Sequence, residues 1–160
     1  DIELGLGPCA IKLFPAKIST FDDIRAWVEE EEANEGRTCD LLIIDYLDKC
    51  TAKFAGQKSK YEIDGIVYES FRVFVQTRGI WGHTASQSVR RAGKDKGRRV
   101  ELDDGADSQE KVRVTDHAIT LTPDATREMI LYSIEKNRYG VLGTVGPLPH
   151  DFAHGRMIEF

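Results

Sequence analysis

Several features that often reveal a function are absent from this sequence. It has no GxxxxGK[ST] phosphate-binding loop, and its three cysteines form no CxxC pair, so neither a complete P-loop site nor a paired-cysteine zinc site is predicted. No apolar run is long enough to cross a bilayer, and nothing resembles a secretory signal. Reduced thiols are the simplest account of an odd cysteine number. We therefore expect a cytoplasmic protein with no membrane association.

The chain is mildly acidic, and its positive charge is concentrated in one segment. The net charge is −5, yet Arg90–Arg99 (RRAGKDKGRR) holds six basic residues in ten together with two glycines. Overall charge therefore gives no argument for nucleic-acid binding, whereas this one segment could bind a polyanion. The alternative interpretation is a solvated, charged loop.

The stretch Asp40–Tyr46 (DLLIIDY) has the pattern of a strand that ends in a carboxylate. Four apolar residues, Leu41–Ile44, run directly into Asp45. This pattern predicts a parallel strand buried on both faces, with the acid just past its carboxyl end, where open parallel sheets bind ligands. In P-loop NTPases an aspartate at this place holds Mg²⁺. The alternative is an ordinary core strand followed by a surface aspartate.

Hydrophobic periodicity predicts one domain of the α/β class, with a parallel sheet that is extended by an antiparallel tail. A first helix begins near Phe21 after a Ser19 or Thr20 cap and ends at Gly36, and a second is closed by Gly79. The predicted strands and the short third helix are, in chain order, Ala10–Phe14, Leu41–Tyr46, Ile80–Ser86, the helix Ser108–Val114, the hairpin His117–Thr122 with Met129–Glu135, and Arg156–Phe160.

Four features in this order resemble the C-terminal part of the ATPase domain of DnaB-like replicative helicases, including phage-type ones. They are the strand before Asp45, the strand that ends in Ser-Gln at Gln87, the basic segment Arg90–Arg99, and the sequence Lys136-Asn137-Arg138-Tyr139-Gly140. The resemblance runs from about Ala10 to the end. It implies a RecA-like P-loop NTPase core fragment over 1–160, with a mostly parallel sheet flanked by helices and the Walker A part upstream.

The resemblance also implies roles in ATP hydrolysis for four residues. Asp45 would hold Mg²⁺ through water, and Gln87 would lie near the γ-phosphate. Lys136 and Arg138 would reach the ATP of a neighbouring subunit, where Arg138 would act as an arginine finger. The glutamate that activates water in these helicases is not identified, so the isolated chain is expected to be inactive.

A DNA-binding role is implied for the basic segment. Its cations would contact the phosphates of single-stranded DNA, independently of base sequence; they are Arg90, Arg91, Lys94, Lys96, Arg98 and Arg99. The lysines between the first two strand motifs could line the same channel; they are Lys49, Lys53, Lys58 and Lys60. The basic segment itself contains no aromatic residue on which a base could stack.

The function expected from the resemblance is ATP-driven translocation on single-stranded DNA and unwinding of the duplex. The cofactors would be ATP and Mg²⁺. The complete protein would form a homo-oligomer, a hexameric ring, that works with a primase or a helicase loader in a bacterial or phage-infected cell. The chain would be a truncated piece, a stable fragment or one half of a split gene product.

Other interpretations of the sequence stay open. A RecA-like domain without ATPase activity could bind DNA or a replication partner through the basic segment, and a RecA-type recombination or circadian-type ATPase would share the core motifs. A metal-dependent nuclease is less favoured, because Glu135 and Lys136 are adjacent and point to opposite faces of a strand. His150 and His154 have the i, i+4 spacing of two ligands on one helix face, but no third ligand is evident.

Overall fold

The computed structural model describes residues 7–53, 56, 58–87, 108–123, 128–151, 154 and 156–157. The chain divides into two compact units, Asp1–Ala85 and Ser86–Phe160. In the described parts, no helix is long and apolar enough to cross a membrane. The basic segment Arg90–Arg99 lies outside the described residues.

Helices precede and separate the strands of the first unit, and the second unit consists mainly of strands. The elements are α1 (Phe21–Glu35), β1 (Leu41–Ile44), a 3₁₀ turn (Leu47–Lys49), α2 (Lys60–Arg78), β2 (Trp81–Thr84), α3 (Ser108–Val114), β3 (His117–Pro123), β4 (Met129–Asn137), β5 (Gly143–Asp151) and β6 (Arg156–Met157).

Both long helices begin at a capping box and end at a glycine. In α1 the Thr20 hydroxyl accepts a hydrogen bond from the Asp23 backbone N–H, and the Asp23 carboxylate accepts one from the Thr20 backbone N–H at 2.7 Å. Ser59 and Glu62 make the same exchange at the start of α2. The helices end at Gly36 (φ 63°) and at Gly79 (φ 67°), left-handed positions that glycine adopts at little cost. The predicted boundaries of α1 are confirmed.

An aromatic cluster joins α1 to α2. The Phe21 ring meets Phe71 and Phe74 edge to face, with centroids 5.8 and 5.6 Å apart, and all three side chains are buried. β1 and β2 pair in parallel, with Leu42 opposite Gly82. A Cβ at Gly82 would lie 2.7 Å from Cζ of Phe71, so the absence of a side chain there lets α2 pack closely on β2.

The other face of the β1–β2 sheet is open among the described residues. Its apolar side chains Leu41, Ile43 and Trp81 are 48%, 66% and 71% exposed. The prediction that this strand is buried on both faces is therefore wrong for the described structure, where α2 covers one face only. A parallel sheet is normally covered on both faces, which makes this apolar face unusual.

The second unit is an antiparallel sheet in the order β3-β4-β5-β6. The hairpin predicted from the sequence is confirmed, with Thr120 opposite Ser133. Between Leu131 and Ser133 the pairing with β5 shifts by one residue, and Gly146 (φ 80°) takes the left-handed conformation that such a bulge uses.

One predicted strand is absent from the described residues, and one observed strand is not predicted. Ala10–Phe14 is not a strand; instead Phe14 packs edge to face on Trp27 of α1, with centroids 5.9 Å apart. The sequence does not predict β5, because the two prolines of this strand argue against it. Pro147 and Pro149 are tolerated because β6 pairs only with His150 and Asp151, so this part of β5 is a sheet edge among the described residues.

Candidate functional site

The structure places Asp45 directly after β1, in a turn that is fixed at both ends. The Thr84 hydroxyl at the end of β2 donates to the Ile44 carbonyl at 2.9 Å and accepts from the Leu47 backbone N–H at 3.1 Å. Leu47 is almost completely buried, at 1% exposure. The peptide bond from Asp45 to Tyr46 is cis. Buried Leu47 and the two hydrogen bonds of Thr84 therefore hold the turn in place. The carboxylate of Asp45 is exposed.

This position suits a carboxylate that helps to hold Mg²⁺. Mg²⁺ is typically bound by one or two carboxylates together with water and substrate phosphates, rather than by a cage of protein ligands. Within the described residues no group of three or more His, Cys, Asp or Glu side chains could enclose a metal ion. A single exposed carboxylate at the carboxyl end of a parallel strand fits the magnesium that accompanies a nucleotide.

Gln87 lies three residues beyond the end of β2 and is exposed, outside any helix or strand. The boundary between the units falls after Ala85, so Gln87 belongs to the second unit, whereas Asp45 belongs to the first. Its amide can both donate and accept hydrogen bonds, as the role predicted near the γ-phosphate requires.

Lys136 lies near the end of β4, and its side chain links that strand to α3 by hydrogen bonds. Its Nζ donates to the backbone carbonyls of Val112 at 2.7 Å and Arg113 at 3.2 Å. These carbonyls belong to the last turn of α3, where a cation is favoured by the helix dipole. The observed contacts give Lys136 a structural role, and its contact with phosphate stays a prediction.

Arg138 follows β4 in a turn and contacts Asp116, the residue before β3. Its Nη1 lies 2.8 Å from Oδ1 of Asp116, and both side chains are 40% exposed. Its backbone N–H also donates to the Asp116 carbonyl at 3.0 Å. The arginine thus stands at the partly exposed end of the hairpin, next to a carboxylate.

Asn137 shapes the turn that carries Arg138. Its Oδ1 accepts from the Tyr139 backbone N–H at 3.2 Å, and its Nδ2 donates to the Val141 carbonyl at 3.4 Å. A side chain at Gly140 would collide with the Asn137 amide. A larger residue here would therefore displace the Asn137 amide from its hydrogen bonds, a consequence beyond the sequence prediction that glycine permits the turn.

The sequence assigns Asp116 only a structural role and assigns Asn137 no role of its own in this site. An asparagine beside a glycine is a common turn signal, and it could have indicated the role of Asn137. Asp116 becomes adjacent to Arg138 because His117 pairs with Asn137 in the hairpin. The pairing shifts by one residue between Ala118 and Ile119, so a regular extension of the predicted hairpin would have placed Asp116 opposite Asn137 instead.

The lysines predicted to line a DNA channel are mostly engaged within their own unit. Lys49 lies over the Tyr46 ring at 5.1 Å. Lys53 contacts Asp22 at 2.9 Å, and Lys60 contacts Asp64 at 2.6 Å. Lys58 is exposed. For three of these four lysines, the structure shows a local partner that would have to be exchanged for a phosphate.

The two spaced histidines do not lie on one helix face. His150 is in β5, whereas His154 is in a turn, where its Nδ1 lies 2.6 Å from Asp151. The i, i+4 spacing therefore does not place the two histidines on one helix face, and it gives no support for a metal site.

The fold is that of part of a RecA-like helicase ATPase domain. The chain is similar to a DnaB-like replicative helicase whose structure was described with its interactions with primase. The TM-score is 0.75 at 18% identity, over 88% of this chain and 36% of that one. A second similar structure is a solved ATPase domain, with a TM-score of 0.75 at 17% identity, over 89% of this chain and 52% of that one.

The chain thus spans about a third to a half of the length of these solved structures. At this identity, what the likeness establishes is the fold, and it confirms the RecA-like, DnaB-like architecture that the sequence predicts. No protein-family model matches the sequence, and no curated protein matches it.

Proposed function

We propose that this chain is part of an ATP-dependent replicative DNA helicase that moves along single-stranded DNA as a ring and unwinds the duplex. The observation that carries the proposal is the position of Arg138. It lies in a turn shaped by Asn137 at the end of a hairpin, partly exposed, in the fold of a helicase ATPase domain. A cation in that place can reach a phosphate on another subunit.

At each subunit interface, residues from two neighbouring subunits would act on one nucleotide. Asp45, exposed after β1, would hold Mg²⁺ on the subunit's own ATP, and Gln87 would contact its γ-phosphate. Arg138, with Lys136, would approach the ATP of the neighbouring subunit and neutralise charge on the transferring phosphoryl group. Magnesium supplies further charge neutralisation when it is bound with ATP.

The open apolar face of the β1–β2 sheet supports a larger domain. Leu41, Ile43 and Trp81 are exposed there, and the similar solved structures are about two to three times as long as the matched region. We infer that the Walker A part of the domain packs on this face, and that the 160 residues alone neither bind ATP tightly nor hydrolyse it.

DNA binding belongs to the same proposal through the basic segment Arg90–Arg99, which lies outside the described residues. Binding of single-stranded DNA should weaken steeply between low and moderate salt, because phosphate contacts release counterions. Fluorescence anisotropy with a labelled oligonucleotide would measure this. Affinity that does not change with salt, or with neutralisation of Arg98 and Arg99, would contradict the role of this segment.

A primase is the partner suggested by one similar protein, the DnaB-like helicase described with its interactions with primase. For this chain we propose a hexameric homo-oligomer that works with a primase or a helicase loader. Analytical ultracentrifugation of the complete protein with ATP would detect the ring, and a monomer under those conditions would contradict it.

The decisive experiment is Arg138→Ala in the complete ATPase. Arginine fingers contribute roughly 10³–10⁵ in rate, so turnover should fall by orders of magnitude while the fold is retained. Arg25→Ala, at a similarly exposed arginine of α1 that pairs with Asp22 at 2.8 Å, is the matched control and should leave turnover unchanged.

Mixing variants tests whether Asp45 and Arg138 act on one nucleotide from two different subunits. Rings made of Asp45→Asn subunits alone, or of Arg138→Ala subunits alone, should be inactive. Mixed rings should regain part of the turnover, because some interfaces then combine an intact Asp45 with an intact Arg138 of the neighbour. Mixed rings with no more activity than either parent would show that Arg138 does not act across the interface.

The second candidate function is a non-catalytic module that binds DNA or a partner protein. Its support is that Lys136 and Arg138 both have partners inside their own unit, the carbonyls of α3 and Asp116. For such a module, Arg138→Ala would affect stability and would change no ATP turnover.

A further inference from the structure

Asp116 holds Arg138 through two different contacts. The backbone N–H of Arg138 donates to the Asp116 carbonyl at 3.0 Å, which fixes the start of the side chain. Its Nη1 lies 2.8 Å from Oδ1 of the carboxylate in an ion pair that lacks the alignment of a hydrogen bond, so charge attraction places the far end of the side chain beside Asp116. The carboxylate oxygen in this contact, Oδ1, is itself enclosed although the Asp116 side chain is partly exposed.

The contact contributes more to orientation than to stability. Both side chains are 40% exposed, and exposed ion pairs contribute little to stability. An arginine side chain is long, and its rotamer entropy opposes holding it in one direction. A carboxylate that restricts the guanidinium before a phosphate arrives lowers this cost at the moment of reaction.

The geometry leaves donors for a second anion. A guanidinium has five N–H donors in a planar fork, and the contact with Asp116 is made through Nη1. The remaining edge of the fork can therefore meet phosphoryl oxygens while the carboxylate stays in contact. Asn137 and Lys136 hold the surrounding turn and strand, so the backbone that carries the guanidinium is tied to its neighbours.

We propose that Asp116 is the positioning residue of Arg138, and that it aims the guanidinium at the phosphoryl group bound by the neighbouring subunit. This inference rests on the proposed function. Asp116 touches no substrate in this account and acts only through Arg138. Its loss should therefore lower turnover through the orientation of the arginine, with no change in how ATP is bound.

The test is Asp116→Asn in the complete, ATP-hydrolysing protein. The value of kcat should fall by up to about 10²-fold, the effect of a small misplacement of a catalytic group, and KM for ATP should change little. Asp116→Glu keeps the carboxylate and should recover most of the lost kcat. Asp22→Asn removes a partner from another 2.8 Å ion pair of similar exposure and should leave kcat unchanged.

A double-mutant cycle separates positioning from a general structural effect. In an Arg138→Ala background, Asp116→Asn should have no further effect on kcat, because the group it orients is gone. An equal loss in both backgrounds, or full kcat in Asp116→Asn alone, would overturn the inference while leaving the proposed function intact. Normal turnover in Arg138→Ala alone would overturn both.

Discussion

In the unit Asp1–Ala85, the buried side chains are mainly aromatic and aliphatic, whereas in Ser86–Phe160 most of those described are polar. Phe21, Phe71 and Phe74 pack together in the first unit. In the second, Thr120 and Ser133 are buried opposite each other, and Ser133 is only 1% exposed. Apolar burial thus stabilises the helical unit, whereas strand pairing and side-chain hydrogen bonds organise the hairpin.

This difference matches the charged groups that each unit would contribute in the proposed function. The first unit offers one carboxylate, Asp45, on a turn anchored by buried Leu47. The second unit offers cations whose positions depend on polar partners: Lys136 on the carbonyls of α3, and Arg138 on Asp116. A carboxylate such as Asp116 attracts the guanidinium from one side by its charge.

The largest predicted effect is on the stability of the first unit, Asp1–Ala85. Phe71→Ala should lower the free energy of unfolding by about 3–5 kcal/mol, since the ring is buried against Phe21 and lies against β2. Urea unfolding followed by circular dichroism measures this loss. Val73→Ala, on the same helix at 52% exposure, is the control and should cost far less.

Hydrogen exchange in the same variant tests whether the two units are independent. In Phe71→Ala, amides of α1 and α2 should exchange faster, and those of β3 and β4 should keep their protection. Loss of protection in both units together would show that the antiparallel sheet depends on the aromatic cluster, and the contrast between the units would then not extend to stability.

A smaller effect on stability is expected in the second unit, Ser86–Phe160. Lys136→Met should lower stability by about 1–3 kcal/mol, because the hydrogen bonds from the charged Nζ to the Val112 and Arg113 carbonyls are lost. Thermal unfolding of the 160-residue chain would measure it. Lys53→Met removes an exposed ion pair with Asp22 and should cost at most about 1 kcal/mol. Equal losses in the two variants would argue that Lys136 is only a surface charge.

The smallest predicted effect is on the stability of the first unit at acid pH. The hydrogen bond from the Thr20 backbone N–H lowers the pKa of Asp23, and the same bond from Ser59 lowers the pKa of Glu62. A lowered pKa in the folded state contributes stability above the ordinary carboxyl pKa, and this is lost as the pH falls below about 4.

Asp23→Asn should therefore reduce stability at neutral pH and weaken its dependence on pH between about 5 and 3. Unfolding midpoints across this range would show it, with Glu29→Gln at an exposed position of the same helix as the control. A pH dependence identical to that of the unmodified chain would mean that the capping carboxylate is not responsible.

Local signals in the sequence predicted much of the first unit. The capping residues Thr20 and Asp23 and the terminal Gly36 lie within a few residues of the groups they bond, so their effect needs no tertiary context. The position of Asp45 follows in the same way from the apolar run before it. Ala10–Phe14 has an apolar pattern too, but a strand also needs a partner, and Phe14 packs on Trp27 instead.

Local signals in the sequence were enough to predict the bounds of α1 and α3, the end of α2, the α/β class, and which charged residues follow the strands. The tertiary structure decided that one face of the β1–β2 sheet is open, that β5 forms despite its prolines, and that Arg138 meets Asp116. The physical reason is distance along the chain: capping is decided within one turn of helix, whereas the contact between Asp116 and Arg138 exists only after β3 and β4 have paired in one register.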